Sequence, residues 1–578
     1  MKKTGLEPIK KTKKEQKQTL ELAKTLVFNF SKPLKDLTNR NKDIAHINYK
    51  IYHLLTRPYT FVNAQINMKL HKGFLTKEIN QNETTNTYFE QSSAIKIAKE
   101  INIQSYKYSP VKKAWIPKFG KNKTRFTDAS TQVDQIVQEA IRGILECIYE
   151  PEFKAWDIHT QNYASNFGFR EDMGCWDALY NIKSKSHGTT WVIQGDFNNT
   201  YSSIDHIILI SILSRRIKDK KFLILIKKLL LSGIMDENRY EDSLMGVSQG
   251  GILSPLLFNI YMLEFDKWIY ESFVKETIEN KSQNIEKFSA DHSLTVRQIS
   301  SITKSLKECN EKLKKNELTK KICHSPIFRT HLPTYESNTI PKHASFTRYA
   351  DNWVLFLRGS KADVQKIKKK IEDFSISKLK MKLSNEKILI TSIFKGINFL
   401  GYNFIMRHPS QDKLKKIIKE IPSEDYSCNL RKTMSKNLLV GIDAGKVKKR
   451  LIAEHYARLK DGKIFPTHNP ILAKLHPFEI VLHYRIVHIG TISHYRNCNT
   501  EQRLELLSYI LKYSCAMTIA SREKSSINKV FHKYGITLKV QNPTQESNTF
   551  TEFPTLSRLR KEGKIYYKKY DVITKDLF

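Results

Sequence analysis

The sequence contains little cysteine, no long apolar run and few acidic residues. Its 7 cysteines among 578 residues are an odd number, and no two of them lie at Cys-x-x-Cys spacing. This pattern predicts neither a disulfide framework nor a structural zinc site, and it fits a reducing compartment. Apolar runs such as residues 207–210 are interrupted by Ser, Arg or Lys well before the roughly 20 residues that a membrane-spanning helix needs. We therefore expect no membrane partner.

The shortage of acidic residues leaves a large positive charge. Lys and Arg number 97 against 58 Asp and Glu, so the formal net charge is +39, and the excess is spread over the whole chain. Self-repulsion of this size destabilises a folded chain unless a partner neutralises it. The composition therefore predicts binding to a polyanion, most simply a large nucleic acid, with a merely basic surface as the alternative.

The N-terminal residues and the overall composition bear on the compartment. Residues 1–20 contain many lysines, but also Glu7 and Glu15 and no apolar core. This argues against a signal peptide and only weakly for a transit peptide. The abundance of Lys, Asn, Ile, Phe and Tyr is typical of AT-rich coding, as in organelle genomes. We interpret the chain as mitochondrial, with the chloroplast as the alternative.

Residues 346–356 predict a strand, a tight polar turn and a second strand. Ala350, Asp351 and Asn352 are expected in the turn, because Asp and Asn tolerate the left-handed conformation and the flanking aromatic and β-branched residues prefer strands. Asp351 is thereby placed at a hairpin tip. An Asp-Asn turn is also ordinary hairpin chemistry, so this stretch alone does not indicate a function.

Two further stretches carry chemistry. Residues 191–196 predict a strand that ends in Asp196, and Asn198, Asn199, Ser202 and Ser203 are expected to form a turn and cap before a helix near Ile204. Residues 245–257 predict a glycine-rich loop that runs into a helix, and its glycines permit close approach of a ligand. Two-metal phosphoryl transfer needs carboxylates from separate strands, which Asp196 and Asp351 supply.

The remaining pattern predicts the surrounding elements. Helical segments are expected over residues 45–70, 133–149 and 362–374, and a basic β-hairpin over 108–125. A strand is expected after residues 383–389, and a short apolar turn at 399–402. The lysine-rich residues at about 272–344 predict an insertion between two core elements. From about residue 406 the pattern changes to basic helices, which indicates a domain boundary.

These blocks, in this order, resemble the motifs of a reverse transcriptase, and the full set resembles a group II intron-encoded reverse transcriptase/maturase of organellar type. The resemblance covers about residues 45–540. Its blocks are residues 165–170, 194–201, 246–255, 349–352, 384–387 and 399–401, followed by 484–490 and 513–524, which resemble the maturase region called domain X. It implies an α+β fold, a right-hand polymerase with fingers and palm followed by an α-helical thumb/maturase domain X.

The resemblance also implies roles for individual residues. Asp196, Asp351 and Asn352 would be the catalytic residues and the ligands of two Mg²⁺ ions. Tyr201 would be the gate that selects deoxynucleotides, and Lys123, Arg125, Gln249 and Gly250 would contact the incoming nucleotide. Arg485, Lys512, Arg522 and Lys524 would bind structured intron RNA.

The sequence departs from the family at three places. Asn352 stands where a second Asp is usual, Ser202 follows the gate aromatic in place of an Asp, and residues 126–130 replace an expected Pro-Leu-Gly-Ile-Pro. Asn still offers an oxygen to Mg²⁺, but it removes one negative charge, so we expect weakened polymerisation. Beyond about residue 545 no Cys pair or His-rich metal motif follows, so no DNA-cutting domain is expected.

The sequence therefore predicts a group II intron maturase that binds intron RNA and promotes its splicing. An active RNA-directed DNA polymerase of a retroelement is the alternative, which would add an RNA template, a DNA primer and deoxynucleotides as partners. A homodimer is left open. The expected domains are an N-terminal extension over residues 1–105, fingers and palm over 106–405, domain X over 406–545 and a basic tail over 546–578.

Overall fold

The computed structural model describes most of the chain outside the expected insertion. The described residues are 32–70, 91–117, 124–186, 189–197, 199–236, 239–241, 245–278, 343–384, 388–406, 438–496, 498, 501–543 and 550–559. Outside them lie residues 1–31 of the expected N-terminal extension, Lys123, Asn198, residues 385–387 and residues 279–342 of the insertion. Residues 272–278 are helical and a strand begins at His343, so both ends of the expected insertion belong to regular elements.

Four strands form a first, small sheet. The basic hairpin was predicted, and its strands β1 (Val111–Pro117) and β2 (Thr124–Ala129) pair antiparallel. Strand β5 (Ile234–Asp236) pairs parallel with β1, and β6 (Arg239–Glu241) pairs antiparallel with β5. The sheet order is therefore β2-β1-β5-β6.

A five-stranded sheet carries the candidate site. Its strands are β3 (Ala164–Asn166), β4 (Trp191–Asp196), β7 (His343–Tyr349), β8 (Asn352–Arg358) and β9 (Leu389–Ser392). The order is β3-β7-β8-β4-β9, with β4 antiparallel to both β8 and β9. The predicted strand at residues 191–196 and the predicted hairpin are confirmed, and the hairpin lies in the middle of the sheet.

Helices cover both faces of this sheet and form the domain that follows it. They are α1 (Pro58–Leu70), α2 (Gln91–Asn102), α3 (Gln132–His159), α4 (Cys175–Lys185), α5 (His206–Arg216), α6 (Lys220–Leu230), α7 (Ser254–Ile269), α8 (Lys361–Ser377), α9 (Ala444–Ala453), α10 (Pro477–Tyr495), α11 (Glu501–Arg522) and α12 (Ile527–Tyr534). Residues 32–41 are also helical. A single core contains apolar side chains from one face of the five-stranded sheet and from α3, α5, α6 and α7.

Three of these helices differ in extent from their predictions. Helix α3 continues ten residues beyond the predicted end at 149 and contains Pro151. Its buried side chains, including Ile148 and Phe153, continue on both sides of the proline, so packing outweighs the missing hydrogen bond. Only residues 58–70 of the predicted 45–70 segment form an α-helix, after a short 3₁₀ turn at Tyr52–Leu54. Helix α8 extends the prediction by one residue before it and three after it.

The region after the five-stranded sheet is mainly helical but also contains strands that the sequence did not predict. Strands β10 (Ile397–Phe399), β11 (Tyr402–Met406) and β12 (Leu438–Ile442) form an antiparallel sheet. Two hairpins follow, β13 (Ala457–Lys460) with β14 (Lys463–Pro466), and β15 (Val540–Gln541) with β16 (Phe550–Thr551). The turn at residues 399–402 is confirmed as the link between β10 and β11. The domain boundary near residue 406 stays a prediction, and β11 ends there, paired with a strand beyond it.

A second core joins the sheet to this region. Val192, Val354 and Phe356, on the sheet face opposite α7, are buried together with side chains of α10 and α11. The Trp176 Nε1–H of α4 donates to the His494 carbonyl at 3.2 Å, and the Tyr402 hydroxyl donates to the same carbonyl. The five-stranded sheet and the helical region are therefore packed directly against each other.

Candidate functional site

The turn between β7 and β8 differs in detail from its prediction. Tyr349 and Asn352 are paired residues, so Asn352 opens β8, and only Ala350 and Asp351 form the turn. The left-handed residue is Ala350, with φ 55°, and not an Asp or Asn. Asp351 nevertheless lies at the hairpin tip, as expected. The surroundings stabilise the left-handed Ala350, because an isolated alanine disfavours it.

The sheet brings the three candidate catalytic residues together at one edge, where β4 ends and β8 begins. Asp196, the last residue of β4, lies directly opposite Asn352, and Asp351 precedes Asn352 in the turn. The Asn352 side-chain amide donates a hydrogen bond to the Asp351 carboxylate at 3.0 Å. Asp196 and Asp351 are half-buried, whereas Asn352 is exposed. The site therefore contains two carboxylates, and an amide donates to one of them.

Two glycines allow the backbone and a tryptophan to approach this edge. A Cβ atom on Gly168 would lie 2.4 Å from the Ala350 backbone nitrogen, which is closer than any real contact. A Cβ atom on Gly195 would lie 2.1 Å from Cζ2 of Trp353, its partner across the two strands. Gly168 therefore lets the segment after β3 lie against the turn at Ala350 and Asp351, which we call the catalytic turn after its predicted role. Gly195 makes room for the buried Trp353 beside Asp196.

A buried arginine holds the turn, and the sequence analysis did not identify it. The Arg348 guanidinium binds both carboxylate oxygens of Asp266 in α7, at 2.6 and 2.8 Å, and Nη1 donates to the Ala350 carbonyl at 3.1 Å. The exposed fractions of the Arg348 and Asp266 side chains are 1% and 2%. Such a pair is fully desolvated, so removing one partner leaves a buried charge without compensation. Its only sequence signal was a charged residue inside a predicted strand.

Two asparagines extend this network to the segment after β3. Asn259 accepts from Arg348 at 3.2 Å and donates to the Gly168 carbonyl at 2.9 Å. Asn166 donates to Asn259 at 3.0 Å and accepts from the Gly168 N–H at 3.1 Å. The catalytic turn, α7 and β3 are thus joined by hydrogen bonds within a buried region. Because these groups satisfy one another, the network fixes a single geometry of the turn.

Tyr201 lies close to the catalytic turn. Burial, with a smaller contribution from the Asp351 carboxylate, raises the pKa of the Tyr201 hydroxyl, so the two groups are within electrostatic range. The Tyr201 ring packs against Phe258 of α7, with 5.7 Å between centroids. This position agrees with the predicted gate, and the gating role itself stays a prediction.

The glycine-rich loop is attached to the segment that carries Tyr201. The Val247 N–H donates to the Tyr201 carbonyl at 2.7 Å, and the Gly246 carbonyl contacts the His206 ring at 2.6 Å. Gln249 is half-buried and Gly250, with φ 114°, is exposed. The loop is therefore hydrogen-bonded to the Tyr201 segment, and the nucleotide contacts of Gln249 and Gly250 stay predictions.

The residue that caps α5 differs from the predicted ones. Asp205, which was not predicted, caps the helix by accepting from the backbone N–H groups of residues 207 and 208. The Ser202 and Ser203 hydroxyls instead donate to the Asn199 carbonyl and stabilise the preceding turn.

Arg125 lies in β2, opposite residue 116. Its contact with a nucleotide stays a prediction.

The donor set at the sheet edge fits a divalent cation. Asp196 and Asp351 supply carboxylate oxygens and Asn352 supplies an amide oxygen, the ligand types that Mg²⁺ prefers. Among the described residues no group of three or more His, Cys, Asp or Glu side chains could hold a metal ion. The site has two such side chains, because the third position is Asn352.

The four candidate RNA-binding cations lie on α10 and α11 or just after them. Arg485 is half-buried, and its guanidinium donates to the Glu552 carbonyl at 3.4 Å. Lys512 is half-buried with Nζ 5.6 Å from the Phe531 ring centroid, and burial lowers the pKa of its ammonium group. Arg522, which donates to the Lys474 carbonyl at 2.9 Å, and Lys524 are exposed. The exposed pair is therefore better placed to meet a phosphate than Arg485.

A buried hydroxyl network fixes α10 against α11. The Tyr484 hydroxyl lies 2.8 Å from the Ser514 hydroxyl and 3.1 Å from that of Thr518. Ser514 donates to the Thr467 carbonyl, and Thr518 accepts from the Asn469 N–H. These residues of the predicted domain X blocks are structural, and they hold the helices that carry the basic side chains.

Two family models match the two parts of this structure. Residues 116–323 match the reverse transcriptase (RNA-dependent DNA polymerase) family, and residues 435–570 match the type II intron maturase family. The group II intron-encoded protein LtrA of Lactococcus lactis subsp. cremoris is 31% identical over 500 residues, which cover 86% of this chain and 78% of LtrA. The chain belongs to the group II intron-encoded proteins. It combines a reverse transcriptase domain with a maturase domain.

Other relatives span kingdoms. The COX1/OXI3 intron 2 protein of Saccharomyces cerevisiae is 28% identical over 520 residues, or 89% of this chain and 57% of that protein. Nuclear intron maturase 2, mitochondrial, of Arabidopsis thaliana is 24% identical over 344 residues, or 51% of this chain and 41% of that protein. One of these two relatives is named as a mitochondrial protein.

The family settles several expectations. The predicted reverse transcriptase fold followed by a maturase domain is confirmed, as is the predicted function of an intron maturase that binds group II intron RNA. Reverse transcriptase domains of this family typically use a divalent metal ion. No helix of the described segments is both long and apolar enough to cross a bilayer.

Proposed function

We propose that this intron-encoded protein clamps the folded RNA of its own group II intron and promotes splicing, while its palm is a weakened polymerase site. The observation that supports the clamp is the exposed basic end of α11, at Arg522 and Lys524, within the maturase-family region. The intron RNA would supply the chemistry of splicing. The protein would supply positive charge and a fixed surface.

The clamp would act mainly through phosphates. The net charge of +39 provides many cationic side chains, and each phosphate contact releases condensed counterions. Arg522 already donates to the Lys474 carbonyl, which orients its guanidinium before RNA arrives. Preorganised cations lose less side-chain entropy on binding than freely rotating ones.

The palm would hold metal less strongly than an Asp-Asp site. Asp196, Asp351 and the Asn352 oxygen would hold Mg²⁺, which when bound lowers the pKa of an attacking hydroxyl and neutralises phosphate charge. In this chain Asn352 contributes no charge, and its amide donates to Asp351 at 3.0 Å. A carboxylate oxygen that accepts this hydrogen bond has less electron density to offer a cation, so it is a weaker ligand.

The two activities separate by substitution. Asp351→Ala removes the carboxylate at the hairpin tip, so we expect DNA synthesis to be lost and protein-assisted splicing to stay near wild type. Arg522→Ala with Lys524→Ala should do the reverse, because it removes exposed charge and no buried contact. Both rates are measured with the intron that encodes the chain, at a salt concentration where splicing depends on protein. Loss of splicing in a folded, RNA-bound Asp351→Ala protein would contradict this division of labour.

An active RNA-directed DNA polymerase is the second candidate, and the position of Tyr201 favours it. The Tyr201 hydroxyl lies near Asp351, where a gate against a 2′-hydroxyl would act. Its partners would be an RNA template, a DNA primer and deoxynucleotides bound by Lys123, Arg125, Gln249 and Gly250. Primer extension by the wild type as fast as that of an Asn352→Asp variant would favour this candidate.

The place of action and the assembly are parts of the same proposal. We place the protein in the mitochondrion, with the chloroplast as the alternative, and we leave a homodimer open. Fractionation of cells that express a tagged full chain distinguishes the compartments. Sedimentation of the RNA-free protein distinguishes a monomer from a dimer.

A further inference from the structure

Helix α11 carries two aromatic side chains on one face, next to a half-buried phenylalanine of α12. Tyr509 and Tyr513 are four residues apart and therefore share one helix face, and their ring centroids lie 4.4 Å apart. The Tyr513 ring contacts Phe531 of α12 edge-on, at 5.6 Å. Tyr509 is 48% exposed, whereas Leu507 and Leu511 on the opposite face are buried. We name Tyr509, Tyr513 and Phe531 the aromatic stripe.

The surroundings of the aromatic stripe are strongly cationic. Residues 505–534 contain five Lys or Arg side chains and two acidic ones, Glu505 and Glu523. Glu523 accepts hydrogen bonds from Lys533 at 2.9 Å and from the Tyr534 hydroxyl, so its charge is largely offset. Lys512 lies beside the stripe, over the Phe531 ring. An anion is therefore attracted to the side of the domain where the rings are exposed.

An exposed ring that is backed by two half-buried rings and lies beside cations fits one kind of partner. A single exposed aromatic side chain is common and needs no explanation. Three rings in contact, next to an acid-poor segment, combine the two features by which proteins hold unpaired nucleotides, base stacking and backbone neutralisation. A second copy of this chain fits less well, because the same cationic segment would face itself.

We propose that the aromatic stripe stacks an unpaired base of the RNA, with Tyr509 as the exposed platform and Lys512 near the adjoining phosphates. This inference rests on the proposed function, since RNA is the partner of that domain. It adds a contact to bases, whereas the clamp acts on phosphates. The stripe would then bind loops or bulges of the intron, where bases are unstacked.

The test separates base stacking from charge. The full-length protein is titrated with an oligouridylate of about 12 nucleotides and with an abasic oligonucleotide of the same length and charge. Tyr509→Ala should bind the oligouridylate about tenfold more weakly than the wild type and the abasic strand equally well. Tyr509→Phe keeps the ring and should behave as the wild type. Tyr180→Ala is the matched control, since Tyr180 of α4 is 76% exposed and lies outside the stripe.

Other outcomes would overturn the proposal. Equal affinity of Tyr509→Ala and the wild type for oligouridylate, or equal loss on both strands, would remove the stacking role. A change of sedimentation in the RNA-free variant would assign the stripe to self-association. Alanine favours helices, so we expect Tyr509→Ala to fold, and thermal unfolding checks this. If the unfolding midpoint of Tyr509→Ala falls below that of the wild type, Tyr509→Gln is measured in its place. Binding of the wild type to intron RNA is measured separately, so failure of the clamp and failure of the stripe are distinguishable.

Discussion

Asn352 changes the charge of the palm site without changing its shape. Asp196 faces it across two strands, and Asp351 accepts its amide hydrogen bond. Aspartate is nearly isosteric with asparagine, so a substitution tests charge alone. Substitution of this one side chain therefore tests whether the missing charge limits polymerisation.

Asn352→Asp is expected to extend a DNA primer on an RNA template at least about tenfold faster than the wild type. The reason is that a third carboxylate strengthens cation binding and replaces a donor to Asp351; tenfold corresponds to roughly 1.4 kcal/mol at the barrier. Turnover at saturating nucleotide is the measurement. Asn39→Asp, on the exposed side of the helix over residues 32–41, adds the same charge elsewhere and should have no effect. Two equally slow proteins would place the defect in the fingers, where residues 126–130 depart from the family.

At the scale of elements, the catalytic hairpin depends on the segment that packs against it. Gly168 lies against the backbone of Ala350, and Arg348, Asn259 and Asn166 join the same segments by hydrogen bonds. A backbone atom cannot rotate away as a side chain can. The hairpin geometry is therefore set from outside the hairpin.

Gly168→Ala should destabilise the protein by about 1–3 kcal/mol and lower any primer extension, because the new Cβ would displace the catalytic turn. Gly143→Ala, in the interior of α3, is the control. In the described part of the chain no neighbouring atom lies within 4 Å of the position that its new methyl group would take, so this substitution should stabilise the protein by about 0.5–1 kcal/mol. Urea unfolding gives both values. Equal effects of the two substitutions would show that the approach to Ala350 is not tight.

His488 couples α10 to the C-terminal residues. It is fully buried and its ring stacks on Phe553 at 4.5 Å, and among the described residues neither ring nitrogen has a hydrogen-bond partner. Burial lowers the pKa of His488 to about 4, below its ordinary value of 6.5. The unfolded chain therefore binds the proton first, and stability falls as the pH drops from about 6.5 towards 4.

His488→Phe should remove this pH dependence, because phenylalanine can stack on Phe553 and cannot be protonated. At pH 5 the wild type should lose about 2 kcal/mol, relative to pH 7.5, that the variant keeps. Unfolding midpoints at the two pH values measure the difference. His494, whose pKa burial also lowers to about 4, is present in both proteins, so its contribution cancels. Equal losses in both proteins would contradict the assignment.

At the scale of the whole molecule, the net charge of +39 governs RNA affinity. If the protein makes several phosphate contacts, binding to the intron should weaken by about a thousandfold or more between 50 and 200 mM salt. Filter binding across this range gives the slope. Arg522→Ala should lower the slope of log affinity against log salt by the amount expected for about one phosphate contact, whereas Tyr509→Ala should leave this slope unchanged. An affinity independent of salt would exclude a phosphate-dominated clamp.

The sequence by itself determined the strands and loops of the candidate site and the family. Strand 191–196, the hairpin with Asp351 at its tip and the glycine-rich loop were predicted because their patterns are local, and the ordered motifs identified the family. Only the tertiary structure decided that Arg348 binds Asp266 and Ala350, that Arg485 contacts Glu552, and that α3 continues through Pro151. These facts depend on partners far away in the chain. Sequence periodicity shows which side of an element is buried, but not which side chain it meets there.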